Sequence, residues 1–106
     1  APPPPPAPAA AKATPAGRDE RKADKVARAR RAEQTRPLRI ELQRIDARLA
    51  VLGREKAEVE GLMAGGNGQP DDFAEWGRRL AHVAAETAVL EERWLELQAE
   101  LEALTG

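Results

Sequence analysis

Two heptad stripes flank a short glycine-rich segment, and a chain built that way has few folds open to it. Before the segment, apolar residues fall at Leu38, Leu42, Ile45, Leu49, Leu52, Val59 and Met63, and Lys56 completes an unbroken alternation of four and three. After it, Phe73, Trp76, Leu80, Val83, Leu90, Trp94, Leu97, Leu101 and Leu104 alternate three and four, with Thr87 in the one gap. Such spacing places each set of side chains on one seam of its helix. The stripes are similar in length, and the connection is only Gly65-Gly66-Asn67-Gly68-Gln69-Pro70. The pattern predicts an all-α fold, a two-helix antiparallel coiled-coil hairpin.

Opposed positions in such a hairpin have a nearly constant index sum, so the register can be written down. Met63 meets Phe73, Val59 meets Trp76, Lys56 meets Leu80 and Leu52 meets Val83. Leu49 then meets Thr87, Ile45 meets Leu90, Leu42 meets Trp94 and Leu38 meets Leu97. Every layer finds a partner without an insertion, and that agreement says more than either stripe alone. Leu101 and Leu104 run past Pro37 and call for Thr35 and Arg31 as partners. A rod with so narrow a core has no room for an enclosed catalytic pocket.

Local signals set the boundaries. Residues 1–17 are mostly Pro and Ala, including Pro2 to Pro6, Pro8 and Pro15. Proline lacks an amide donor and fixes its backbone angle, so this stretch is expected to be a disordered, extended linker, which implies a larger protein before it. Residues 18–36 contain good helix formers but no apolar stripe; Val26 is their only large aliphatic residue. They are expected to form a basic helical arm, loose or frayed, because a helix polar all round is marginal by itself. Pro37 is expected to interrupt it, since proline suits a first turn and disfavours helix just before it. The hairpin then occupies 37–106, with helices at about 37–64 and 72–104. Glycine and asparagine end the first helix. Asp71 or Asp72 caps the second, and Asp72 with Glu75 has capping-box spacing.

Composition narrows the function classes. Charged residues make up 33 % and aromatics 3 %, too little bulk for a thick globular core. Cysteine is absent, so there is no disulfide framework or thiolate metal site. The longest apolar runs are a few residues, which rules out a membrane span, and the N-terminal residues lack the layout of a signal peptide. A cytoplasmic location is expected. The net charge of −1 hides an asymmetry. Arg18 to Arg36 holds eight Lys/Arg against four Asp/Glu, whereas Asp71 to Gly106 holds three Arg against nine Asp/Glu.

Few residues point to chemistry. His82 lies off the seam, and one histidine without cysteine makes a poor zinc site. Glu91, Glu92, Glu96, Glu100 and Glu102 spread along a solvated face, where they support the helix rather than pair for catalysis. Gly65-Gly66-Asn67-Gly68 lacks the lysine and hydroxyl of a phosphate loop and follows no strand. Trp76 and Trp94 are seam residues, each with part of its indole able to face a neighbour. Lys56 and Thr87 interrupt the seam and are expected to fix register and suppress other oligomers; the lysine stem can lie across Leu80. No catalytic, cofactor or metal residue is expected.

The remaining signal is the basic set. Arg21, Lys22, Lys25, Arg28, Arg30, Arg31 and Arg36, with Arg18, are candidates for binding a nucleic-acid backbone. Without interleaved aromatics they would contact phosphate rather than stack on bases. The competing readings are a spacer or protein-docking coil, using the acidic second helix or the tryptophans, and an oligomerisation module.

The ordered set of segments resembles a known family. A Pro/Ala-rich linker and a Lys/Arg/Ala-rich helix precede RPLRIELQRIDARLAVLGREKAEVEGLM; a hinge with DDFAEW and then LEERWLELQAELEAL follow. Roughly residues 18–104 resemble the C-terminal extension of bacterial ABC-F proteins, the soluble ATP-binding cassette proteins of the Uup and YheS kind. The RPLR at Arg36 to Arg39 and ERWLEL at Glu92 to Leu97 carry the match. The resemblance implies a terminal antiparallel coiled coil behind two ATPase domains, in a protein that acts on ribosomes or translation. It also implies DNA binding if the Uup branch applies. The ATPase motifs are missing from this chain, so it would not itself be the enzyme. Its expected partners are DNA, ribosomal RNA or transfer RNA, the ribosome, and the parent's ATPase domains. The chain itself is expected to be a monomer.

Overall fold

The structure, a computed structural model, describes residues 15–105 and contains two helices, α1 (Pro15–Ala64) and α2 (Pro70–Thr105). The chain divides into two units, Ala1–Gln34 and Thr35–Gly106. Most of the expected linker at 1–17 lies outside the described residues. Its last three residues belong to the first turn of α1, where a proline is at home because that N–H has no intrahelical acceptor.

The first unit contributes the polar portion of α1. From Arg18 to Gln34 every described residue is exposed, and Val26 is 54 % exposed. Helix formers sustain this stretch without an apolar face.

The second unit is the hairpin, and its core is the seam. The buried apolar residues are Leu42, Ile45, Leu52, Val59, Val83 and Leu97, all of them stripe positions. Leu42, Ile45 and Leu97 form one cluster, against which Leu38, Leu49, Leu90, Trp94 and Leu101 pack. These are the residues of the layers expected at that end. Leu52 and Val83 are both buried, as opposed members of one layer should be. Burying an aliphatic side chain in this way stabilises by roughly 1.5 to 3 kcal/mol, which offsets the ordering entropy of long helices.

The expected break at Pro37 does not occur: α1 runs through it. Pro37 has no N–H to offer the carbonyl of Glu33, and an interior proline costs a helix about 3 kcal/mol. Packing on both sides of the proline outweighs that loss. Thr35 is only 5 % exposed, and Leu38 packs against the core cluster, so the seam clamps the chain in helical form across Pro37. The burial of Thr35 agrees with the layer that Leu101 called for.

The hinge is built closely. The Gly65 N–H donates to the Gly61 carbonyl (3.1 Å), and Gly66 takes a left-handed φ of 72°, which ends α1. The start of α2 differs from the expectation. Gln69 is the N-cap and Pro70 the first helical residue, with the Phe73 N–H donating to the Gln69 carbonyl (3.1 Å). Asp72 is not the cap. Its carboxylate accepts from the Gln69 N–H (3.0 Å), the returning half of a capping box. Proline's preference for the first helical position moves the start two residues earlier than the aspartates alone suggested.

Candidate functional site

Arg21, Lys22, Lys25, Arg28, Arg30 and Arg31 are all exposed on α1 within the first unit, and Arg36 is exposed in the second. An α-helix turns about 100° per residue. On that geometry Arg18, Arg21, Lys22, Lys25 and Arg28 fall within an arc of about 120°. Asp19, Glu20, Asp24 and Glu33 lie outside the arc, and so do Arg30 and Arg31. The helix therefore gathers five cations on one face and places two of the predicted residues among the carboxylates. Sequence counting finds the cations; only the helical period separates the faces.

The second unit holds charge differently. In heptad terms Glu41, Arg48 and Glu55 flank one side of the α1 seam, and Arg93, Glu86 and Arg79 flank the same side of α2. Two rungs of this ladder are bidentate ion pairs. Arg93 donates to Glu41 through Nε (3.0 Å) and Nη2 (3.1 Å), while its Nη1 reaches Glu96 (3.1 Å). Arg48 donates to Glu86 through Nε and through Nη2 (2.8 Å). The hydrogen bond from Arg93 holds the Glu41 carboxyl below its usual range, outweighing the opposing effect of desolvation. The bond from Arg48 does the same for Glu86. Both arginines are held even more firmly protonated. The pairs join index sums of 134, beside seam layers at 135 and 136, so they independently fix the register. The sequence reading missed them, although a seven-residue spacing of alternating charge on both helices was there to be found.

The other flank mixes small residues, Gly53 on α1 and Gly77 and Ala84 on α2, with charged ones such as Asp46, Glu60 and Glu91. On this side lies a groove of about 430 Å³ lined by Lys56, Glu60, Leu80, Val83, Ala84, Thr87, Ala88 and Glu91. Lys56 lines this groove, and its ammonium lies 3.8 Å from Glu60.

Other candidates resolve simply. His82 is exposed, its Nε2 3.7 Å from Glu86 Oε1. Glu91, Glu92, Glu96, Glu100 and Glu102 are exposed along α2. Trp76 and Trp94 are half-buried, and Trp94 packs on the core cluster. Among the described residues no group of acidic, histidine or cysteine side chains could hold a metal ion, and no helix is long and apolar enough to cross a membrane.

Residues 35–105 thus define an antiparallel coiled-coil hairpin with an aliphatic seam and one flank held by ion pairs. A family model described as ABC transporter C-terminal domain matches residues 33–104, more than half of the chain. The chain belongs to that family. The match begins at the edge of the second unit and leaves the cationic face of the first unit outside it. No curated protein and no solved structure matches the chain.

Proposed function

We propose that this chain is a non-catalytic accessory domain of a cytoplasmic ABC-F type ATP-binding protein and that its basic helical segment binds the phosphate backbone of DNA or structured RNA. The family membership supports an accessory role beside ATPase domains. The arc of Arg18, Arg21, Lys22, Lys25 and Arg28 is the observation that carries nucleic-acid binding. Cations sharing one helix face can approach a single run of phosphates and displace its counterions. Asp19 and Glu20 fall on the far side of that approach, while Asp24 and Glu33 lie just beyond the edges of the arc. In such a protein the ribosome or its RNAs are the natural polyanions.

The test is a fluorescence-anisotropy titration of duplex DNA and of a structured RNA at several salt concentrations. Arg21→Glu, Lys25→Glu and Arg28→Glu combined should weaken binding with little sequence dependence. The log–log salt slope should become shallower by roughly two to three, close to one ion per lost phosphate contact. Arg30→Glu with Arg31→Glu, on the other side of the helix, should do less. Unchanged affinity in the triple variant, or wild-type binding indifferent to salt, would overturn the reading in favour of a protein-docking coil.

A further inference from the structure

We propose that the tip of the hairpin docks a lysine- or arginine-rich segment of another protein that carries aliphatic anchors. The surface is separate from the basic segment, so the proposal does not rest on nucleic-acid binding. From Ala57 to Gly77 the chain has five carboxylates, Glu58, Glu60, Asp71, Asp72 and Glu75, and no basic residue. Among them Leu62 is 44 % exposed and Phe73 is 40 % exposed.

Leu62 is out of pattern in an informative way. It stands seven residues beyond Glu55, at the next step of the flank that carries Glu41, Arg48 and Glu55. The rung opposite is Asp72, whose carboxylate is taken up by the Gln69 N–H. The charge ladder therefore ends in an aliphatic side chain with no counterpart of its own kind. Phe73 is likewise fixed rather than loose. Its ring meets Trp76 edge to face with centroids 5.0 Å apart. The backbone at Gly68 comes so near that a Cβ there would lie 2.6 to 2.8 Å from both rings. The loop braces the aromatic pair from one side and leaves the Phe73 edge and Leu62 in water. A ring already held in place loses little entropy when a partner covers it.

Charge complementarity selects the partner. Glu75 is engaged by Arg78 (2.8 Å) and Glu60 by Lys56 (3.8 Å), while Glu58, one helical turn before Leu62, and Asp71, in the first turn of α2, remain exposed. Counting Lys56, Arg78 and Arg79 at its margins, the tip still has five carboxylates against three basic residues, a balance that disfavours a phosphate backbone. A cationic amphipathic segment gains from covering Leu62 and Phe73 and is oriented by the carboxylates.

The experiment uses two fluorescein-labelled peptides of equal charge, one of leucine and lysine and one of serine and lysine, titrated with the full chain. Wild type should bind the leucine peptide about tenfold more tightly, the effect of a well-seated apolar anchor. Leu62→Ser, at an exposed position that leaves helical circular dichroism intact, should remove most of that preference. Glu58→Lys with Asp71→Ser should weaken both peptides and leave duplex DNA binding no weaker. Amide shifts caused by the leucine peptide should fall on residues 58–77. Equal affinity for the two peptides, unchanged affinity in Leu62→Ser, or shifts confined to Glu91 through Glu102 would overturn the proposal. Loss of DNA binding alone would count only against the basic segment.

Discussion

Replacing Leu97 by alanine, with Leu95→Ala as its partner experiment, separates the seam from the surface of one helix. Leu97 is fully buried against Leu42 and Ile45, whereas Leu95, two residues away, is 63 % exposed. Truncating Leu97 forfeits roughly 2 kcal/mol of transfer free energy, at about 0.8 kcal/mol per buried methylene. The space left behind adds to this, but two helices can partly close on a void. The total should therefore be about 2 to 4 kcal/mol, within the usual span for a buried leucine. A domain of this size shifts by about 4 to 8 °C per kcal/mol, so Leu97→Ala should melt roughly 8 to 32 °C lower. Leu95→Ala should stay within about 0.5 kcal/mol of wild type. Lys56→Leu should leave the melting point unchanged or raise it, at some loss of monomer in sedimentation. The assay is thermal denaturation followed by helical circular dichroism. Equal losses for Leu95→Ala and Leu97→Ala would refute the assigned seam.

The ion-pair flank should behave as a register device: Arg48→Glu should lower the melting temperature, and adding Glu86→Arg should recover most of the loss. The acid dependence follows from the depressed carboxyls of Glu41 and Glu86. A carboxyl lowered in the folded state contributes stability that is full above its unfolded pKa and is lost as pH falls through the folded value. Melts should therefore decline on acidification through and below the ordinary carboxylate range, and an Arg93→Gln variant should show a flatter decline. Gly68→Ala should displace the Phe73–Trp76 pair, which a change in tryptophan fluorescence would report, at a cost of about 1 to 3 kcal/mol.

The hairpin was legible in the sequence because heptad spacing reports a seam directly. Each buried apolar residue of the structure is a stripe residue, and the end layers around Leu42, Trp94 and Leu101 pack together as their index sums require. Pro37 was misleading because its local preference is real but is outweighed by the seam packing on both sides, where Thr35 is buried and Leu38 packs on the core. Asp72 was assigned to the correct cap motif and the wrong place in it, since the pattern does not say whether an aspartate or the residue before a proline leads the helix. Of the basic set, identity and exposure were readable from composition. The split that sets Arg30 and Arg31 apart from Arg21, Lys25 and Arg28 needed the helix to be continuous there.

The constant index sum also makes the hairpin a ruler. α2 has 36 residues, or about 54 Å at 1.5 Å per residue. Thr35 and Thr105 stand at one end of the second unit and the Gly66 turn at the other. Seven residues added to each helix at matched heights, after Leu52 and before Val83, would keep every existing layer and ladder rung in register. The turn would move outward by about 10 Å. Seven residues added to one helix alone would leave half the seam without partners. The distance at which this domain presents its tip can therefore change only in paired steps of one heptad, with neither the base nor the tip having to be rebuilt.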